Sequence, residues 1–157
     1  AGDHRGFSLI ELMVVVSVLG IVAAIAVPNY LRYQGKSRQA EAKTNLGAIF
    51  VAEQTFFGEN SRFSSLTQAG YGLAAATNRY AYRSHGTDAA GADMGVEVIP
   101  PAVGVDPGEN FIQSSASSLS GFTATATANL DNDGVIDMWH VNDLKQNLQT
   151  PDVNDIS

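Results

Sequence analysis

From Phe7 to Val27 the chain is an unbroken apolar run with a single formal charge, Glu11. At a rise of ~1.5 Å per residue, a helix over this stretch is roughly 30 Å long, the thickness of a bilayer's hydrocarbon core. The segment is therefore expected to cross a membrane as an α-helix. A carboxylate in such a span costs about 2.5–3.5 kcal/mol at the bilayer centre and less near an interface, so Glu11 marks a functional position that needs a partner.

The remaining sequence sets wide bounds. About 100 residues follow the helix, enough for one modest globular domain. The formal net charge of −7 argues against a nucleic-acid groove or a polybasic membrane patch, both of which need clustered Lys and Arg; no sequence-specific nucleic-acid partner is expected. Cysteine is absent, so packing and hydrogen bonds, with or without a bound ion, must hold the fold.

Two processing signals compete at the N-terminus. Arg5 as a minimal basic region, followed by an apolar stretch and the small-residue site Ala24-Ile25-Ala26, has the layout of an ordinary secretory signal. Against it, the apolar run exceeds the usual ~7–15 residues, Glu11 interrupts it early, and helical patterning continues past Ala26.

The other signal is Gly6-Phe7-Ser8-Leu9-Ile10-Glu11-Leu12-Met13-Val14-Val15-Val16, which closely resembles the class III signal of type IV prepilins and pseudopilins. The resemblance implies cleavage between Gly6 and Phe7 by a membrane-embedded prepilin peptidase, N-methylation of Phe7, and a requirement for Glu11 in assembly. The short leader, residues 1–6, is similar to that of the type IVa group, although it carries Asp3 and begins at alanine. The chain is then expected to be a precursor lacking only its initiator methionine, or a form whose leader was never removed.

Elementary electrostatics gives Glu11 a role independently of the family. Cleavage before Phe7 creates an α-amino group, mostly or partly protonated near neutral pH, about one helical turn from Glu11. If copies pack side by side with an axial offset, the amine of an incoming chain can meet Glu11 of a docked one. Losing one partner of a buried pair costs about 3–5 kcal/mol, so such a pair sets stagger more than strength. The plainer alternative is a residue snorkelling at the membrane edge.

Beyond Val27 the helical pattern resumes at Tyr30 and continues to about Gly58, which predicts one helix over residues 7–58 with a bend at Pro28 and weak points at Gly20 and Gly35. In its second half Ala42, Leu46, Ile49, Phe50, Phe56 and Phe57 form an apolar stripe, with Lys36, Arg38, Glu41, Lys43 and Glu53 mostly elsewhere. Residues 36–46 are similar to the corresponding segment of type IVa major pilins. Pilins of this family also carry a proline at the position of Pro28, and the resemblance implies that the Gly20–Pro28 region can unwind in the assembled filament.

Residues 59–157 are expected to form the globular head. Gly, Ser, Ala and Asn in 61–78 and 86–95 read as loops, and residues 80–83 and 96–99 as short strands, the second stopped by Pro100-Pro101. Residues 122–128 alternate phenylalanine and alanines with threonines and predict a strand whose alanines admit the helix closely. An Asp-Gly turn then leads into a strand over residues 135–141. Asp131, Asp133 and Asp137 have a spacing reminiscent of short calcium loops, but the full EF-hand pattern is absent; the competing reading is a solvated turn. The serines of 114–118 read as an exposed loop and a candidate for O-glycosylation, and no Asn-x-Ser/Thr sequon occurs.

No hydrolase elbow, phosphate loop or His-Glu-x-x-His motif is present, and His4, His85 and His140 are scattered, so no enzyme is expected. Apart from calcium no cofactor is expected. The resemblance implies an α+β type IV pilin fold, a long N-terminal helix packed on a small antiparallel sheet. It further implies a precursor in the inner membrane, extracted into an extracellular helical homopolymer by a membrane platform and assembly ATPases, for adhesion, surface motility or DNA uptake. Two rivals remain at this point: a major pseudopilin of type II secretion, and a membrane-tethered monomeric binding domain.

Overall fold

The computed structural model describes residues 6–73, 77–111, 113–131, 134–145 and 148–156. Helix α1 runs over Leu9–Asn60, and strands β1 (Ala81–Thr87), β2 (Asp93–Ile99), β3 (Ala116–Ser117), β4 (Phe122–Ala128) and β5 (Asp137–Asn142) follow in an α+β arrangement. The chain divides into two compact units, Ala1–Gln34 and Gly35–Ser157, so the second half of α1 belongs with the sheet.

Helix α1 is unbroken through Pro28, although proline offers no N–H to the carbonyl of Ala24. Local melting at Pro28 is thus no part of this conformation. The helix also passes Gly58 and ends two residues later, where Ser61 adopts a left-handed φ of 54° and its N–H closes on the Phe57 carbonyl at 2.8 Å. Gly35, expected as a weak point, is a packing site: a Cβ there would stand 2.9 Å from Cγ1 of Ile156, so its absence lets the C-terminal segment lie on the helix.

The sheet is antiparallel, with β4 at its centre. β5 lies along one side of β4, while β1 and β3 share the other, and β2 extends the sheet beyond β1. The alternation in β4 has the expected effect: Phe122, Ala124, Ala126 and Ala128 join Ala42, Leu46 and Ile49 of α1, together with Trp139 and Val141 of β5, in one core. Phe63 bridges the elements, stacking on Phe57 at 4.6 Å and tilting against Phe122 at 5.0 Å between ring centroids.

Several segments differ from the sequence pattern. β1 and β2 extend into residues 86–95, because Asp88 Oδ1 accepts the N–H groups of Ala90 and Ala92 and closes a tight turn, with Gly91 at a φ of 85°. Part of the serine loop forms β3, paired with Phe122 and Thr123. The β4–β5 hairpin closes at Ala128–Asp137, so β5 begins two residues later than the sequence suggests. Along the outer side of β5, Met138 exchanges backbone hydrogen bonds with Asp152 and Val153, which covers that edge.

Glu53 departs furthest from expectation. It lies on the core-facing stripe with Ala42, Leu46 and Ile49 and is fully buried. Its Oε2 accepts the Ser64 N–H at 3.1 Å, whereas Oε1 has no hydrogen-bond partner among the described residues. The carboxylate thereby anchors the start of the 64–70 turns, and burial pushes its pKa up to about 7 despite that bond.

Candidate functional site

The start of α1 is built on a reciprocal cap. Ser8 precedes the helix and Glu11 stands three residues on. The Ser8 N–H and hydroxyl both donate to Glu11 Oε2, at 2.9 and 2.7 Å, and the Glu11 N–H donates to Ser8 Oγ at 3.3 Å. This Ser-x-x-Glu capping box satisfies orphan donors of the first turn and sets a carboxylate at the positive end of the helix. Ser8 is thus a functional neighbour of Glu11, and its spacing is readable in the sequence.

Three residues of the Phe7–Val27 stretch have polar side chains, Ser8, Glu11 and Ser17. Ser17 donates to the Met13 carbonyl at 2.7 Å, so each of the three has a hydrogen-bond partner within the segment. The surroundings are the opposite of satisfied. Every residue from Gly6 to Tyr33 is exposed, with Phe7 76% and Ile10 65% accessible. Burying a Val, Leu, Ile or Phe side chain is worth about 1.5–3 kcal/mol, so a stripe of this length requires an apolar medium or a bundle of like helices. Phe7, Ile10, Glu11, Val14 and Val15 share one face of the first two turns, which places Glu11 beside the new chain end that cleavage after Gly6 would create.

Of the three candidate calcium residues, Asp131 and Asp137 fall among the described residues. Asp133 lies outside the described residues, and Asp131 is exposed. Asp137 is fully buried. Its Oδ1 accepts Gln39 Nε2 at 2.7 Å and the Asp155 N–H at 3.3 Å. Its Oδ2 accepts Tyr80 Oη and Trp139 Nε1, each at 2.5 Å. Asp137 is therefore a buried hub tying α1, the residue just before β1, β5 and the C-terminal segment together. Among the described residues no group of three or more His, Asp or Glu side chains is placed to hold a metal ion.

The sheet face turned away from α1 carries a polar network of its own. Arg83, buried on β1, reaches Asp106, donates to Thr127 Oγ1 at 2.9 Å and lies 4.0 Å from Glu109. Glu109 accepts Thr125 Oγ1 at 2.9 Å and Ser115 Oγ at 3.0 Å. His140 Nδ1 lies 2.8 Å from both oxygens of Asp152. Burial works to raise the Asp106 pKa, but the Gly108 N–H and the Arg83 guanidinium outweigh it and hold the carboxyl below the usual range. These contacts fasten residues 106–115 over the sheet in a chain without cysteine. They form a structural clasp over this face of the sheet.

Comparison with known proteins bears on the N-terminal site directly. Residues 2–27 match the family model described as the prokaryotic N-terminal methylation motif. The type IV major pilin protein PilA of Myxococcus xanthus is 49% identical over 80 residues, 51% of this chain and 36% of that protein. This chain thus spans little more than a third of that relative's length. The fimbrial protein EcpC of Eikenella corrodens is 31% identical over 118 residues, 75% of this chain and 74% of its own. The type II secretion system core protein G of Klebsiella pneumoniae is 34% identical over 65 residues, 41% of this chain and 46% of its own. With the methylation motif on the capped apolar helix and the fimbrial similarity running through the head, the chain belongs to the type IV pilin family.

Proposed function

We propose that this chain is the structural subunit of a type IV pilus. A prepilin peptidase cuts it between Gly6 and Phe7, Phe7 is methylated, and the mature chain passes from the inner membrane into an extracellular helical homopolymer through a membrane platform and assembly ATPases. The observation that carries this reading is the exposed helix face from Phe7 to Val27, whose three polar side chains each find a hydrogen-bond partner within the segment. Such a helix can reside in lipid and can pack against copies of itself. In the bundle Glu11 exchanges its solitary position for the cationic chain end of a neighbour, with the Ser8 hydroxyl holding the carboxylate in place until then. Unwinding between Gly20 and Pro28 in the filament belongs to the same proposal, since Pro28 already leaves one helical acceptor unpaired. Adhesion, surface motility and DNA uptake are the activities such a filament would serve.

The similarity to the secretion core protein supports a second reading, a pseudopilin of type II secretion, over a shorter part of the chain. Both readings share the N-terminal chemistry. Long surface filaments rich in this chain favour the pilus, whereas secretion loss without surface filaments favours the pseudopilin.

Replacing Glu11 with alanine should leave membrane insertion and processing intact and reduce sheared filament yield at least ~10-fold, the rate equivalent of about 1.4 kcal/mol lost per docking step, well inside the cost of an unpaired buried charge. Quantitative immunoblotting of sheared and membrane fractions checks this. Unchanged self-association would instead favour a monomeric tethered domain, for which the helix is only an anchor.

A further inference from the structure

On the part of the helix that belongs to the second unit, Lys36 and Lys43 line one cleft with Gln39, Trp139, Gln149 and Pro151. The cleft encloses about 260 Å³, below the ~300–1,000 Å³ of small-molecule pockets, so it suits a side chain better than a cofactor. Lys43 Nζ is fixed by two contacts: it donates to the Gln149 carbonyl at 3.2 Å and stands 5.0 Å over the Trp139 ring. An ammonium has three donors, so this bond leaves others for an incoming acceptor. Trp139 and Pro151 supply an apolar wall below the ammonium groups. Together these features fit a carboxylate on a short methylene stem.

Glu59 is an acid of this description. It is exposed, and no hydrogen bond or ion pair engages it among the described residues. It occupies the last turn of α1, which contains no basic residue, so its charge sits against the negative end of the helix dipole and gains from any external cation. Along the helix axis Glu59 lies ~24 Å beyond Lys43 and ~35 Å beyond Lys36 at 1.5 Å per residue. A parallel copy displaced by that distance brings its Lys36–Lys43 segment level with Glu59. The contact is heterologous, joining two different patches, and repeats without closing, as a filament requires. With a net charge of −7 per chain, stacked copies repel unless such pairs form.

We propose that the Lys36–Lys43 cleft receives the Glu59 carboxylate of an adjacent copy of this chain. The assignment rests on the pilus reading and adds a specific contact between heads. The test uses the full-length chain in cells that assemble it. Lys43→Glu and Glu59→Lys should each lower sheared filament yield about 10-fold, and the double variant Lys43→Glu/Glu59→Lys should restore it to within about twofold. Lys43→Met keeps packing on Trp139 without charge; it should behave like Lys43→Glu, with Trp139 emission of the detergent-solubilised chain unchanged. Wild-type filaments combined with undiminished yield from Glu59→Lys, or with no rescue in the double variant, overturn the cleft assignment and leave the pilus reading standing. Failure of the wild-type chain to enter filaments under the same conditions overturns both.

Discussion

Asp137→Ala is expected to lower the stability of the head by about 4 kcal/mol. The substitution removes the acceptor of four buried donors at once, from Gln39, Tyr80, Trp139 and the Asp155 backbone. Each orphaned buried donor costs about 1–3 kcal/mol, and the costs overlap because the four share one site. Against a typical total of about 5–15 kcal/mol, such a loss takes a large share of the fold's stability. Asp137→Asn keeps one acceptor oxygen but turns an amide toward donors, so a loss of roughly half that size is expected. Denaturant unfolding of the detergent-solubilised full chain, followed by the emission of its single tryptophan, measures both. A loss below about 1 kcal/mol for the alanine variant would remove the hub from the account of what holds the head together.

The second large effect has the opposite sign. Glu53→Gln is expected to stabilise the chain at pH 8 by roughly 3 kcal/mol and to change little at pH 4. The folded carboxyl has its pKa raised to about 7 by burial, from a usual 4.5. As pH climbs from about 4.5 to 7, the unfolded chain gives up this proton while the folded chain retains it, so stability falls across that window and stays low above it. A shift of that size corresponds to roughly 3 kcal/mol at 1.36 kcal/mol per unit. Glutamine resembles the protonated acid, still accepts the Ser64 N–H and carries no charge, so the penalty disappears. Hydrogen bonding lowers the pKa values of Glu97 and Asp106 on balance; they contribute stability above the unfolded pKa that is lost as pH falls through the folded value. Wild-type protein should therefore be most stable between the two limbs, and the glutamine variant should lose only the alkaline one. Unfolding midpoints between pH 4 and 8 for both proteins decide the matter; parallel curves would show that the Glu53 carboxyl ionises as readily in the folded chain as in the unfolded one, with no penalty for glutamine to remove.

These two residues show where sequence reading stops. The membrane-length run, Glu11 and the alternation of residues 122–128 are legible because local period and composition determine them. Burial of Glu53 is not, since it contradicts the stripe it sits on and is compensated by a backbone N–H eleven residues away. Asp137 has the surroundings of a solvated turn in sequence, and only the return of residues 152–155 and the reach of Gln39 and Tyr80 turn it inward. The threonines of β4 alternate as solvent-facing residues would, yet residues 106–115 cover them through Arg83 and Glu109, pairings that no local pattern announces. Ser8 stands on the legible side: its distance from Glu11 is a sequence-level cap signal, and the structure forms both halves of it.

The cap at Ser8 and Glu11, with Ser17 bonded back to its own helix, gives every polar side chain of the apolar segment a partner inside that segment. Moving it between lipid and protein neighbours need break none of those side-chain bonds, so the difference between the two settings falls on the Glu11 charge and on the backbone around Pro28. If the chain is a pilus subunit as proposed, one capped helix serves in the bilayer and in the bundle without remaking its side-chain bonds.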